Sequence, residues 1–270
     1  VKHGESPRPG TFHAARAAKR SRCPEASGEN SGRRQNTPLF SVIIPTFNRE
    51  GPLKKAVKSV LDQRAENWEL IVVRDGEPGQ RDVLPFDQRV RRIDAGALRG
   101  APACRNIGIK ASFGAWIAYL DDDDEWLPHH LSVQGPALED FDFIYSRARL
   151  FKEGELSEWH GEPFSRMKLA ERNFITSSAV LHRRELIEKA GFWNESATCL
   201  QDWELWCRML EGPARVCFRD AVTVTQNWSS DSITTRSAAS GQRAKARRKI
   251  QLRYFVSLVL RHLLTKGSKR

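Results

Sequence analysis

Cysteine is sparse and unpatterned in this 270-residue chain. Cys23, Cys104, Cys199, Cys207 and Cys217 are odd in number and form no C-x-x-C pair. That argues against a disulfide framework and a zinc site, and favours a reducing, cytoplasmic setting. The first 40 residues lack the apolar core of a secretory signal, so none is expected. Long apolar runs are also missing. The longest near the C-terminus, Tyr254 to Leu260, is interrupted by Ser257. It falls far short of the about 20 residues a spanning helix needs. No internal repeat and no clear linker divides the middle of the chain.

What is present is charge, unevenly placed. The net charge is +11. Residues 1–38 hold 8 Lys/Arg and 3 Asp/Glu, so +5, and residues 243–270 hold 10 Lys/Arg and no acid, so +10. The middle is therefore 11 − 5 − 10 = −4. A basic total alone would suggest nucleic acid, but no nucleic-acid-binding motif accompanies it, and the centre is mildly acidic. Three segments follow: a basic disordered leader over 1–38, one α/β domain over 39–242, and a basic amphipathic helix over 243–270. The last segment is expected either to lie on an anionic membrane surface, peripheral on the inner face of the cell membrane, or to pack on the domain.

Within the domain, apolar strands alternate with amphipathic helices. Leu39 to Pro45 reads as a buried strand, Glu50 to Arg64 as a helix with Leu53, Ala56, Val57, Val60 and Leu61 on one face, and Trp68 to Val73 as a second strand. Arg89 to Ile93 is a weak third strand, and Ala101 to Ala111 a helix. Ala115 to Leu120 is a strand that runs into Asp121-Asp122-Asp123-Asp124-Glu125. This alternation predicts a mostly parallel central sheet flanked by helices. In the second half, Phe141 to Tyr145 is a strand, and Arg147 to Trp159 a hairpin around Glu153-Gly154. Ile175 to Leu181 is a strand containing Ser177-Ser178, Arg183 to Ala190 a helix stopped by Gly191, and Trp203 to Leu210 a helix. Arg215 to Phe218 and Ala221 to Thr225 read as two short strands.

The acidic run carries the chemistry. Four carboxylates at a strand end must face water or a cation, because unpaired buried charge is too costly. Their oxygens suit Mg²⁺ or Mn²⁺, which protein carboxylates often hold together with substrate phosphates. In parallel sheets ligands sit beyond the carboxyl ends of strands. Thr46 to Asn48, Arg74-Asp75 and Asp121 to Asp124 all lie at such ends. The bland alternative is a solvated acidic turn.

Taken in order, Val42-Ile43-Ile44-Pro45-Thr46-Phe47-Asn48-Arg49, Ile71-Val72-Val73-Arg74-Asp75-Gly76, Arg105-Asn106-Ile107-Gly108-Ile109, Gly114 with Leu120-Asp121-Asp122-Asp123-Asp124, and Gly191-Phe192-Trp193 with Gln201-Asp202-Trp203-Glu204-Leu205-Trp206-Cys207-Arg208 resemble the family 2 glycosyltransferases of the GT-A fold. The resemblance covers roughly Phe40 to Trp228. It implies an inverting transferase that uses a nucleotide-diphospho-sugar and Mn²⁺ or Mg²⁺. Pro45, Thr46, Phe47 and Asn48 would line the donor pocket, with Phe47 against the base. Asp75 would accept a hydrogen bond from a uracil-like or thymine-like edge, favouring a UDP- or dTDP-sugar. Arg99 or Arg105 would lie near base or phosphates. Asp121 and Asp123 match the D-x-D pair. Asp123 would contact the metal, Asp121 would reach the ribose or a metal-bound water, and Asp122 is a rival for either role. Asp202 matches the catalytic base. The acceptor would be a glycan or a lipid-linked sugar in surface-polysaccharide synthesis.

Two positions depart from the family pattern: Arg74 stands where an acid is common, and Gln201 where a Glu is common. They leave two alternatives, a non-catalytic sugar-nucleotide or glycan-binding homologue and, further off, a nucleotidyltransferase. His182 reads as structural rather than as a ligand, and His129-His130 as exposed. Of Trp203 and Trp206, one could stack on an acceptor sugar, with core packing for at least one. Cys104 has a cationic neighbour but no base.

Overall fold

The computed structural model describes residues 37–76, 84–96, 98–228 and 241–267, with side chains as far as Leu260. The leader expected over 1–38 lies outside the described residues except for Thr37 and Pro38. The N-terminal half is built on β1 (Phe40–Thr46), β2 (Trp68–Arg74), β3 (Val90–Asp94) and β4 (Trp116–Tyr119), all parallel in the order β3-β2-β1-β4. β1 and β2 are buried along their whole length, as continuous apolar runs covered on both faces require. Val42 and Ile44 face one core with Leu53, Val57 and Val60 of helix α1 (Glu50–Leu61). Ile43, pointing the other way, joins Ile109 of helix α2 (Ala101–Ala111) and the aromatic cluster of the C-terminal half. α2 sits close on the sheet because residue 108 is glycine. A Cβ there would lie 2.6 Å from the Ile43 side chain.

Because β1, β2 and β4 run the same way, their carboxyl ends share one edge. β1 pairs with β4 only from Phe40 to Ile43, whereas its ladder to β2 continues to Thr46. Pro45, which has no N–H to give, thus falls beyond the β4 ladder. The chain leaves β4 there, and the acidic run occupies the gap.

The sheet continues through β8 (Val180–Arg183), β6 (Phe143–Lys152), β9 (Val216–Trp228) and the short β5 (Glu125–Trp126), with β7 (Glu155–His160) paired to β6. Here the expected mostly parallel sheet gives way to a mixed one. β4–β8, β6–β8, β6–β7 and β5–β9 are antiparallel, and only β6–β9 is parallel. The hairpin turns at Glu153-Gly154, both at positive φ, the conformation a two-residue hairpin demands.

Three element boundaries differ from expectation. α1 stops at Leu61 and not at Arg64. Residues 175–181 are not one strand: Ser177–Ala179 form a 3₁₀ turn that feeds β8. The two short strands expected after Arg215 are a single 13-residue β9. Its polar centre, Arg219-Asp220, lies where the β6 register shifts, and Asp220 pairs with Arg147 there.

Helix α3 (His130–Gln134) follows β5, and α4 (Arg166–Glu171), α5 (Arg184–Ala190) and α6 (Gln201–Met209) cover the C-terminal half. α5 ends at Gly191 in the left-handed conformation, as a C-cap glycine does. Trp203 and Trp206 are both core residues, their indole N–H groups donating to the carbonyls of Leu169 at 2.7 Å and Ile175 at 3.1 Å. Neither is available to an acceptor sugar. α7 (Gln242–Gly267) packs on α4 and α6 through Ile250 and Tyr254.

His130, expected to be exposed, is buried. It stacks on Trp126 at 4.0 Å and bonds the Thr223 hydroxyl at 2.7 Å. Burial pushes its pKa down to about 3, so it is neutral. His182 is also buried. Its Nδ1 faces the Arg183 carbonyl and must donate, so Nε2 accepts from the Tyr119 hydroxyl at 2.8 Å. Burial lowers its pKa to about 4, and its role is structural. Burial pushes the Cys104 thiol up to about 12, far from nucleophile range.

Candidate active site at the strand ends

The acidic run alternates. Asp122 and Asp124 point inward, while Asp121 and Asp123 are partly exposed. The expectation that all four face solvent or a cation is corrected by this alternation, and hydrogen bonds explain it. Asp122 accepts from the Thr46 hydroxyl at 2.7 Å. Asp124 accepts from the Ser178 hydroxyl at 2.6 Å and the Gln226 amide at 3.2 Å. The 3₁₀ turn at Ser177–Ala179 therefore has a purpose: Ser178 holds Asp124 from beneath, and Ser177 donates to Asp121 at 3.2 Å.

Among the described residues two guanidiniums pair with the run. Arg49 reaches Asp123 at 2.6 Å and Asp122 at 3.3 Å. Arg105 reaches Asp121 at 2.5 Å and lies 4.4 Å over the Trp193 ring. Two cations do not balance four neighbouring acids. Burial raises Asp122 to about 6, with Asp123 and Asp121 adding to the push while Thr46 and Arg49 oppose it. Burial and then Asp121 raise Asp123, against Arg49. Burial, Asp121 and Asp123 together raise Asp124 well above the carboxylate range. Hard oxygen donors short of positive charge fit a divalent cation. Among the described residues no group of three or more His, Cys, Asp or Glu could by itself hold a metal ion. A cation here would need ligands from elsewhere, such as diphosphate oxygens.

At the end of β1, Phe47 is 47% exposed, and its ring stands against Gly76 just past β2. A Cβ at residue 76 would come 3.2 Å from that ring, and Gly76 has φ 108°, so glycine serves both space and backbone. Asn48 adopts the left-handed conformation that turns the chain into α1. Asp75 is buried, and its two oxygens accept from the backbone N–H groups of Arg99 at 2.7 Å and Gly100 at 2.8 Å. It ties down the loop before α2 and keeps lone pairs for a further donor. Arg99 and Arg105 differ in position. The Arg99 side chain is exposed and bonds the Ala95 carbonyl. Arg105 is buried beside the acidic run.

Asp202 stands in the first turn of α6, entered through Leu200 in the left-handed conformation. Its carboxylate accepts from the Asn173 amide at 2.8 Å and the Trp203 N–H at 2.8 Å. Burial raises its pKa. The two hydrogen bonds and Arg105 pull it back, and Asp121 pushes it up. Arg105 and Asp121 thus stand close enough to act on Asp202 electrostatically. Gln201 bonds the Ala197 carbonyl at 2.9 Å and braces the loop into α6. Sequence reading did not find Arg49, Asn173, Ser178 or Gln226. The available signals were that Arg49 closes the first motif and that Ser178 lies with Ser177 inside an otherwise apolar segment.

This α/β sheet, with an acidic run where strand direction switches beyond β4, has the GT-A type of fold. The family model "Glycosyl transferase family 2" matches residues 41–191, and the chain belongs to that family. It is 30% identical over 190 residues to the putative colanic acid biosynthesis glycosyl transferase WcaA of Escherichia coli K12, covering 65% of this chain and 67% of that protein. It is 36% identical over 99 residues to the UDP-Glc:alpha-D-GlcNAc-diphosphoundecaprenol beta-1,3-glucosyltransferase WfgD of Escherichia coli, covering 36% of this chain and 39% of that one. The fold resembles S. aureus TarS 1-349 in complex with UDP-GlcNAc, with a TM-score of 0.57 at 16% identity over 73% of this chain and 60% of that chain. The chain therefore spans only part of most of these proteins.

Proposed function

We propose that this chain transfers a glycosyl group, with inversion, from a nucleotide-diphospho-sugar to a glycan or lipid-linked acceptor in surface-polysaccharide synthesis. UDP- and dTDP-sugars are the favoured donors. One observation carries the reading: Asp202, braced by Asn173, stands within electrostatic reach of Arg105 and of Asp121 in the acidic run, which pair with each other. The names of WcaA and WfgD support the biosynthetic setting and the lipid-linked acceptor, and the UDP-GlcNAc complex of TarS supports the donor class.

Phe47 packs on the base and Asp75 accepts from its edge. Asp123 and Asp121 would hold Mn²⁺ or Mg²⁺, which stabilises charge growing on the departing diphosphate. Arg105 adds a fixed positive charge on the same side. Asp202 takes the proton of the attacking acceptor hydroxyl, at a typical gain of about 10²–10⁴-fold. One base suffices for direct inversion, since no covalent intermediate forms. Burial raises Asp202, so activity should rise with pH as it ionises.

The test compares the wild-type chain with Asp202→Asn. Thermal unfolding with UDP, dTDP or GDP, with and without Mn²⁺, reads donor binding. Sugar release and transfer read turnover. Equal nucleotide stabilisation with turnover lost in the variant supports the proposal. Absence of stabilisation by every nucleotide, or full turnover in the variant, overturns it.

A further inference from the structure

α7 carries two apolar faces where a helix packed on a domain needs one. Ile250 is 8% exposed and Tyr254 2%, and with Leu258 they seat the helix on α4 and α6. The Gln251 amide donates to the Glu171 carbonyl at 2.7 Å and fixes the helix's rotation. Leu252 is 69% exposed, and Phe255, Val256, Val259 and Leu260 are exposed with it. At about 100° per residue these five fall within an arc of about 140°, opposite Ile250 and Tyr254. Packing on the domain explains the first face and leaves the second unaccounted for.

Charge identifies what the second face meets. Residues 243–270 contain no acid. Lys245, Arg248, Lys249 and Arg253 are exposed. By the same geometry they lie within or beside the apolar arc. α7 itself carries no acid that would suit a protein partner of mixed charge; Glu204 and Glu211 belong to the domain side of the groove that Lys249 and Arg253 also line. An apolar stripe edged only by cations matches a surface that is negative outside and apolar beneath. Among the described residues no helix is long and apolar enough to cross a membrane. The helix is about 39 Å long and would lie along such a surface, not through it.

We infer that the outer face of α7 docks the catalytic domain onto an anionic phospholipid bilayer, with Leu252, Phe255, Val256, Val259 and Leu260 entering the headgroup boundary and Lys245, Arg248, Lys249 and Arg253 meeting lipid phosphates. Because Ile250 and Tyr254 hold the other side of the helix, docking fixes the domain's orientation as well as its location. The inference is independent of the transfer reaction.

The experiment floats the full chain with phosphatidylcholine vesicles and with vesicles that also contain phosphatidylglycerol, at low and high salt. Binding at least about tenfold tighter to the anionic vesicles, and weakened by salt, is expected, since each basic residue near the surface contributes to attraction. Phe255→Ser with Val259→Ser should weaken that binding about tenfold. So should Lys245→Glu with Arg248→Glu, which alters only exposed residues and leaves folding intact, as unchanged thermal unfolding would verify. Equal binding to both vesicle types, or none to either, overturns the inference. So does a concentration-dependent dimer in analytical ultracentrifugation that is abolished by the serine pair while vesicles are ignored, because a second copy would then cover the stripe.

Discussion

The two halves of this sheet hold their functional groups by different means. In the N-terminal half, the register of parallel β1, β2 and β4 brings Thr46, Asp75 and Asp121 to one edge, where several hydrogen bonds then hold them. In the C-terminal half, Asp202 is set by a helix start, a left-handed Leu200 and an amide from Asn173. The first arrangement rests on backbone ladders reinforced by several side-chain contacts. The second depends on single side-chain contacts and can drift while the fold persists. Under the proposed function, that difference suits a fixed donor chemistry and a varying acceptor.

The sharpest break is Asp123→Ala. It should abolish Mn²⁺-dependent stabilisation by nucleotide and lower kcat/KM by about 10²–10³, the usual scale for one electrostatic contact to developing charge. Titration calorimetry and turnover would show it, and full retention of metal-dependent binding would remove Asp123 from the metal site.

His182 tests the seam, since β8 joins the two halves through β4 and β6. Its folded pKa is about 4, below the ordinary 6.5. Between those values the unfolded chain binds more protons, so stability falls as pH drops through that window. From pH 7 to pH 5 the stability advantage of wild type over His182→Gln should shrink by about 2 kcal/mol, at about 1.4 kcal/mol per pH unit below 6.5. Denaturant unfolding at the two pH values measures it, and a constant gap would contradict the neutral buried imidazole.

Asn173→Ala sharpens the contrast between halves. It should leave nucleotide affinity unchanged, lower kcat about tenfold for one lost hydrogen bond to a charged group, and move the acid limb of the pH profile upward. The shift in the profile is what a merely structural role would not produce. Phe47→Ala is the mildest. Losing an aromatic contact should weaken nucleotide binding about fivefold and leave the pH profile alone.

Much of the N-terminal half was legible in the sequence. Apolar continuity marks β1 and β2, and α2 begins and ends where its pattern does. Gly191 announces the end of α5. The acidic run was recognisable as chemistry, but its internal alternation was not. Thr46, Ser178 and Gln226, which draw Asp122 and Asp124 inward, lie 76, 54 and 102 residues away along the chain. Pairings at such separation leave no local pattern. β9 was read as two strands because Arg219-Asp220 resembles a break. A register shift against β6 absorbs those two residues, and only the partner strand reveals it. His130 looked exposed beside His129 because adjacency says nothing of which ring turns inward. Position i of a short helix met Trp126 and Thr223, and both contacts are tertiary.

β9 has a consequence for how such a protein could be recombined. It pairs with β6 along its length and with β5 at its other side. It sends Thr223 to His130, Gln226 to Asp124, and Asn227 to the Asp123 carbonyl. A chimera that kept the N-terminal half and exchanged the C-terminal half at a boundary before Val216 would import a foreign floor for the acidic run. The portable unit is therefore discontinuous. Residues 222–228 travel with the N-terminal half, and a graft that respects sequence order but not this strand should fold yet lose the contacts that hold Asp123 and Asp124.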